Sequence, residues 1–270
     1  MERLAAASDG NGLDQWSTAG IRDCWLGGSH HTPTDRALAE HIPIGVPQLP
    51  YLVRVYRALL GRVVRYLVEA GVRQFLELGS GLPTAGHVHE VAQAADSQCR
   101  VVYVDSNPAV VAQSQAVLAG TGNAGVVCAD LRDPQQVLDA VQRTRLLDLD
   151  APVAVLLIDV LHHIPDTENP AGFIAAYIDR ICSGSYVAIA HTSDDDENLV
   201  TGLAMFRKLY YQLAPPLTFR SPPQAPDFFT GLNIVEPGIV SLPLWHPDPD
   251  DDLSSNPDHF PAWCGLGHKP

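Results

Sequence analysis

Four acids punctuate the middle of the chain. Glu77, Asp105, Asp130 and Asp159 lie 28, 25 and 29 residues apart, and each closes an apolar run: "RQFLEL", "RVVYVD", "AGVVCAD" and "VAVLLID". A glycine loop, "GSGLPTAGH", follows the first acid. Three ligand classes compete for such a loop. A nucleoside triphosphate needs a Lys for the β/γ-phosphates and a hydroxyl for magnesium, but His87 and Val88 stand at those places. A dinucleotide fits Gly79 and Gly81, but Thr84 replaces the third glycine, and Glu77 would aim a carboxylate at a pyrophosphate. S-adenosylmethionine (SAM) has no phosphate. Its ammonium and sulfonium suit an acid at a strand end, and the glycines let the backbone approach its methionine part.

The next acids extend this reading. Asp105, followed by Ser106, sits 24 residues beyond Gly81, where a carboxylate accepts both ribose hydroxyls. Asp130 and the backbone of Leu131 sit where an adenine amino edge is read. Acids at three successive strand ends favour SAM over a dinucleotide. The competing reading makes them helix N-caps on an unliganded sheet. After the fourth run, "LLIDVLHHIP" brings Asp159, His162 and His163 together. A His beside the methyl group is a candidate general base for an oxygen or nitrogen acceptor. The alternative is that Asp159 and His162 only orient the amino-acid end of SAM. No metal site is expected: "HEVAQ" lacks a second His, and the five cysteines contain no CxxC pair.

These residues need a scaffold. "YLVRVYRALLGRVVRYLVEAG" repeats apolar residues at helical spacing, with arginines placed on the opposite face, and Gly71 stops it. From residue 73 to 192 short apolar strands alternate with helical stretches, which predicts parallel strands joined by right-handed crossovers. "DFFTGLNIVEPGIVSLPLW" predicts an antiparallel hairpin at the sheet edge, around Glu236-Pro237-Gly238. The expected fold is a Rossmann-like α/β sheet, mostly parallel, with a C-terminal antiparallel hairpin and a helical N-terminal lid. The expected organisation is a disordered tail over 1–15, a lid over 16–50, a SAM-binding domain over 51–247 and an acidic, Pro-rich tail over 248–270.

The net charge of −14 argues against nucleic acid as a partner. No apolar run is long enough for a membrane span, and the reduced, widely spaced cysteines suit a cytoplasmic protein. The acids in "SDDDEN" and "PDPDDD" read as solvated loops.

The segments "RQFLELGSGLPTAGHVHEVAQ", "VVYVDSNP", "ADLRDP", "VLHHIPD" and "FFTGLNIVEPGIV" resemble the S-adenosyl methyltransferase family once known only as a domain of unknown function, over roughly Ile21 to Pro247. The resemblance implies a class I methyltransferase fold and SAM binding by Glu77, Gly79, Gly81, Asp105 and Asp130. It also implies an N-terminal lid motif, matched here by "RDCWLGGSHHTPTDR". Asp23, Leu26, Gly27, Gly28, Asp35 and Arg36 keep the motif. Arg22 and Cys24 replace its aromatic residues, Ser29, His30 and His31 replace its lysine, aspartate and asparagine, and Tyr56 replaces an asparagine in the following helix. Asp23, Gly27 and Gly28 join the candidate cofactor contacts on this basis, and Thr84 of the glycine loop is a further candidate contact. The expected activity is methyl transfer to a small molecule. The alternatives are intramolecular alkylation of SAM to a cyclic amino acid with release of methylthioadenosine, and a non-catalytic SAM sensor.

Overall fold

In the computed structural model, residues 16–84, 86–210, 217–249 and 257–270 are described; the expected tail over 1–15 lies outside them. The chain enters through α1 (Thr18–Trp25), α2 (Pro33–His41) and the long α3 (Leu49–Glu69). There follow β1 (Gln74–Leu78), α4 (Val88–Ala95), β2 (Arg100–Asp105), α5 (Pro108–Val117), β3 (Ala124–Cys128), α6 (Pro134–Thr144), β4 (Ala154–Ile158), α7 (Pro170–Arg180) and β5 (Tyr186–Thr192). The last elements are α8 (Glu197–Tyr210), β6 (Asn233–Ile234), β7 (Val240–Ser241) and β8 (Ala262–His268).

The sheet order is β3-β2-β1-β4-β5-β8-β6, with β7 also paired to β8. β1 to β5 run parallel, and β8 runs antiparallel to β5 from Tyr186↔His268 to Thr192↔Ala262. Alternate side chains of each strand feed two cores. Phe75, Val101, Tyr103 and Leu156 pack with Leu59, Val63 and Leu67 of α3. Leu76, Val102, Val155 and Leu157 pack with Val137 and Val141 of α6 and Ile174 and Ile178 of α7. The strand order reverses between β1 and β4, which opens a crevice at their carboxyl ends. Among the described residues no helix is long and apolar enough to cross a membrane.

The helices after β1 to β4 are capped by His87, Asn107, Asp133 and Asn169. The strand-end acids are therefore not the caps.

Three sequence expectations need correction. First, the antiparallel partner of β5 is β8, inside the stretch read as a tail, whereas the two runs expected to form a hairpin are the short β6 and β7, which both pair with β8. Glycines disguised β8. A Cβ on Gly265 would stand 2.9 Å from Phe229 Cζ, and one on Gly267 2.7 Å from Leu232 Cδ1, so the strand gives up side chains to let its neighbours pack. Second, the arginines of α3 do not all face outward. Arg62 is buried and donates to the carbonyls of Trp245 and Leu242 at 2.9 and 2.7 Å. Third, part of the first acidic run is committed. Asp196 accepts the Asn198 and Leu199 N–H groups at 2.9 and 3.0 Å, at the start of α8. In the second run Asp248 pairs with Arg65; residues 250–252 lie outside the described residues.

Candidate functional site

A cavity of about 580 Å³ opens at the carboxyl ends of β1, β2 and β4. Its walls bring together Glu77, Gly79, Gly81, Asp105, Ser106, Asp130, Leu131, Asp159 and His163. Trp16 to Ala19 and Arg22 cover it from the N-terminal side, and Tyr56 and Arg57 face it from α3.

The glycine loop is shaped by positive φ angles, +72° at Gly79 and +62° at Gly81. A Cβ on Gly79 would lie 2.2 Å from Val160 Cγ2, so only glycine fits between the loop and the β4 turn. The Gly81 N–H donates to Asp105 Oδ2 at 2.9 Å, and the Asn107 N–H donates to Oδ1 at 2.9 Å. Each carboxylate oxygen keeps lone-pair capacity for a further donor, as a ribose diol requires. Burial raises the Asp105 pKa above the usual carboxylate value against these bonds.

Glu77 is buried, and its Oε2 has no hydrogen-bond partner. His87 Nδ1 lies 3.2 Å away. That nitrogen already accepts the Val88 N–H at 3.1 Å, and burial lowers the His87 pKa, so the neutral ring offers Glu77 no proton there. A buried carboxylate oxygen left bare is costly unless a cation arrives. Arg57 Nη1 is likewise buried without a partner, and burial lowers the Arg57 pKa although Glu77 opposes the shift.

At the end of β4, Asp159 adopts φ +56°, a conformation that non-glycine residues avoid. Its N–H is held by the Ala190 carbonyl at 2.9 Å. Its carboxylate meets the Arg22 guanidinium, and its Oδ1 lies 3.3 Å from His162 Nδ1. His163 lines the cavity; His162 does not, and its ring packs between His163, at 4.1 Å, and His191, at 6.3 Å. Burial drops the His191 pKa to about 3, which keeps that ring neutral.

Asp130 reaches the cavity with its carboxylate already engaged. Arg132 Nε donates to both oxygens, at 2.9 and 3.0 Å, and its Nη1 donates to Glu168 at 2.7 Å. The Arg132 bonds lower the Asp130 pKa. Tyr177 donates its hydroxyl to the Leu131 carbonyl at 2.9 Å and so fixes that backbone.

The lid residues divide by role. Asp23, Gly27 and Gly28 of the lid, and Thr84 of the glycine loop, do not line the cavity. Asp23 is buried and knots the lid turn. It accepts the Thr84 hydroxyl at 2.5 Å and the His30 N–H at 2.8 Å, and meets His31 Nδ1 at 2.9 Å. Burial pushes its pKa up, but these bonds outweigh burial and the net shift is downward. Gly28 leaves room for this carboxylate, because a Cβ there would stand 2.0 Å from Oδ1. Asp35 does similar work by accepting the Ser17 and Thr32 N–H groups at 2.7 and 2.8 Å.

Sequence reasoning missed Arg22, Arg57 and Arg132. In the sequence Arg22 is only a departure from the lid motif, and Arg57 belongs to the polar face of α3. Arg132, two residues past Asp130, carried no motif signal. Among the described residues no group of three or more His, Cys, Asp or Glu could hold a metal.

A family model described as S-adenosyl methyltransferase matches residues 9–270. The chain belongs to the S-adenosyl methyltransferase family. A solved structure of a DUF574 family protein from Streptomyces avermitilis is 33% identical, with a TM-score of 0.84, covering 96% of this chain and 99% of that one. A candidate methyltransferase from Thermobifida fusca is also 33% identical, with a TM-score of 0.82, covering 95% and 96%. The plantazolicin methyltransferase BpumL is 12% identical with a TM-score of 0.52, covering 93% of this chain and 96% of that one, and shares the fold alone. No curated protein matches the chain. The family implies SAM as a substrate, and the site fits it: a bare buried carboxylate oxygen at Glu77, a cradle only glycine can form, and a doubly anchored Asp105.

Proposed function

We propose that this S-adenosyl methyltransferase family member transfers the methyl group of SAM to a small molecule. The observation that carries the reading is Asp159, held at φ +56° so that its carboxylate enters the cavity beside Arg22, with His163 on the same wall. Strain of this kind persists where the surrounding structure over-determines it, and it clusters at active sites.

In this reading Glu77 takes the ammonium of SAM and Asp105 the ribose hydroxyls. The glycine loop follows the methionine chain, and the Leu131 backbone, steadied by Tyr177, borders the adenine. The acceptor enters between Tyr56, Arg22 and His163. Its lone pair attacks the methyl carbon in line, the C–S bond breaks, and the electron pair goes to sulfur, leaving S-adenosylhomocysteine. The proton of an oxygen or nitrogen acceptor goes to His163. Most of the acceleration comes from positioning and from water exclusion by α1. Glu77 argues against intramolecular alkylation, because a carboxylate on the amine keeps it protonated and without a lone pair.

The test supplies the protein with SAM and the small-molecule fraction of a bacterial extract, then follows the nucleoside product. S-adenosylhomocysteine that forms only with the extract supports the proposal. Its absence with every fraction, despite SAM binding, favours a sensor.

A further inference from the structure

Three arginines line the cavity, and two are committed. Arg22 is bound to Asp159, and Arg132 to Asp130 and Glu168. Arg57 differs: its Nη1 is buried and has no hydrogen-bond partner. It projects from α3 into the same cavity as Glu77, whose Oε2 is bare in the same way, and Glu77 exerts the largest attractive charge effect on it. The two groups thus attract each other across the cavity while each keeps one polar atom unsatisfied. An isolated ion pair would close that gap by direct hydrogen bonding. A pair held open suits a ligand that carries a cation and an anion on one carbon.

We propose that Arg57 holds the α-carboxylate of SAM while Glu77 holds its α-ammonium, so that the protein selects the complete amino-acid end of its substrate. This rests on the SAM reading above and extends it to a residue outside the glycine loop. A guanidinium presents a planar fork of donors that matches a carboxylate, and each donor left unpaired in a buried site favours the ligand that satisfies it. When the ligand binds, Arg57 and Glu77 each gain a charge-assisted hydrogen bond for the polar atom left bare in its absence. The site thereby discriminates against nucleosides that share the adenine, ribose and sulfur of SAM but lack its carboxylate.

The test is calorimetric and needs no acceptor. Wild-type protein is titrated with SAM, with decarboxylated SAM and with 5′-methylthioadenosine. SAM is expected to bind tighter than decarboxylated SAM by on the order of 10- to 100-fold, the range of a hydrogen bond to a charged group. In Arg57→Met, SAM affinity should fall to that of decarboxylated SAM, while methylthioadenosine binding stays unchanged. Arg57→Lys keeps the charge without the fork and should retain only part of the preference; it also serves if the Met variant does not fold. Equal binding of SAM and decarboxylated SAM by wild type, or an undiminished preference in Arg57→Met, overturns the assignment and leaves the SAM reading standing. A wild type that binds neither SAM nor methylthioadenosine overturns both.

Discussion

Asp23 of the lid accepts the hydroxyl of Thr84, 61 residues later in the glycine loop, at 2.5 Å, and both groups are buried. The lid turn and the loop that shapes the cavity are therefore one hydrogen-bonded unit. The same carboxylate holds the His30 N–H and the His31 ring, and Arg36 donates to the far nitrogen of that ring at 3.2 Å.

Asp23→Ala should loosen residues 16–36 more than it unfolds the sheet. It strands buried donors at about 1–3 kcal/mol each. Hydrogen exchange should accelerate in α1 and α2, with a smaller change in the strands. Uniform acceleration through β1 to β5 would show that the knot supports the whole fold.

The same carboxylate sets a pH dependence. Its folded pKa is lowered, so its stabilising effect is fully present above the unfolded carboxylate value of about 4 and is lost as pH falls through the lower folded value. Lid protection should hold down to about that unfolded value and fade below it. Asp23→Asn should lack this acid-dependent step.

Asp105→Ala should weaken SAM binding by roughly 10- to 100-fold, because the ribose hydroxyls lose a charged acceptor. Burial raises the pKa of this group, so SAM affinity should begin to fall on acidification above the usual carboxylate range. Calorimetry showing unchanged affinity in a folded variant would remove Asp105 from the site.

The two glycines should separate in a melting experiment. Gly79→Ala brings a Cβ to 2.2 Å from Val160 and forces the β4 turn to move, whereas a Cβ at Gly81 would meet only Ala19 Cβ at 3.6 Å. Gly81→Ala should cost about the 1–2 kcal/mol of a left-handed residue, and Gly79→Ala more. Equal melting temperatures would contradict the packing described for the loop.

His163→Ala should lower turnover by about 100-fold or more with an oxygen or nitrogen acceptor while SAM affinity stays close to wild type. A parallel loss of SAM affinity would move His163 from the acceptor corner to the cofactor.

The strands were legible because a parallel strand covered on both faces reads as an unbroken apolar run, as in "VAVLLID" before His162. The strand-end acids were legible because the βα repeat spaces them at similar intervals. β8 was not, since Gly265 and Gly267 replace the apolar alternation that marks a strand. Arg57 was not, because a helix pattern shows which residues are apolar and cannot show which polar residue overlooks a cavity. The place of Asp23 in the lid motif predicts a cofactor contact, whereas the structure turns it inward to Thr84, His30 and His31; no local spacing announces a partner 61 residues away.

The most direct measurement of the central claim is the fate of SAM incubated with the purified protein alone, followed by chromatographic identification of every adenosine product. Methyl transfer with Glu77 holding the amine protonated requires that SAM remain intact, beyond its spontaneous decay, until an acceptor is added, and that S-adenosylhomocysteine then appear. Enzyme-dependent methylthioadenosine and a cyclic amino acid from SAM alone would contradict it.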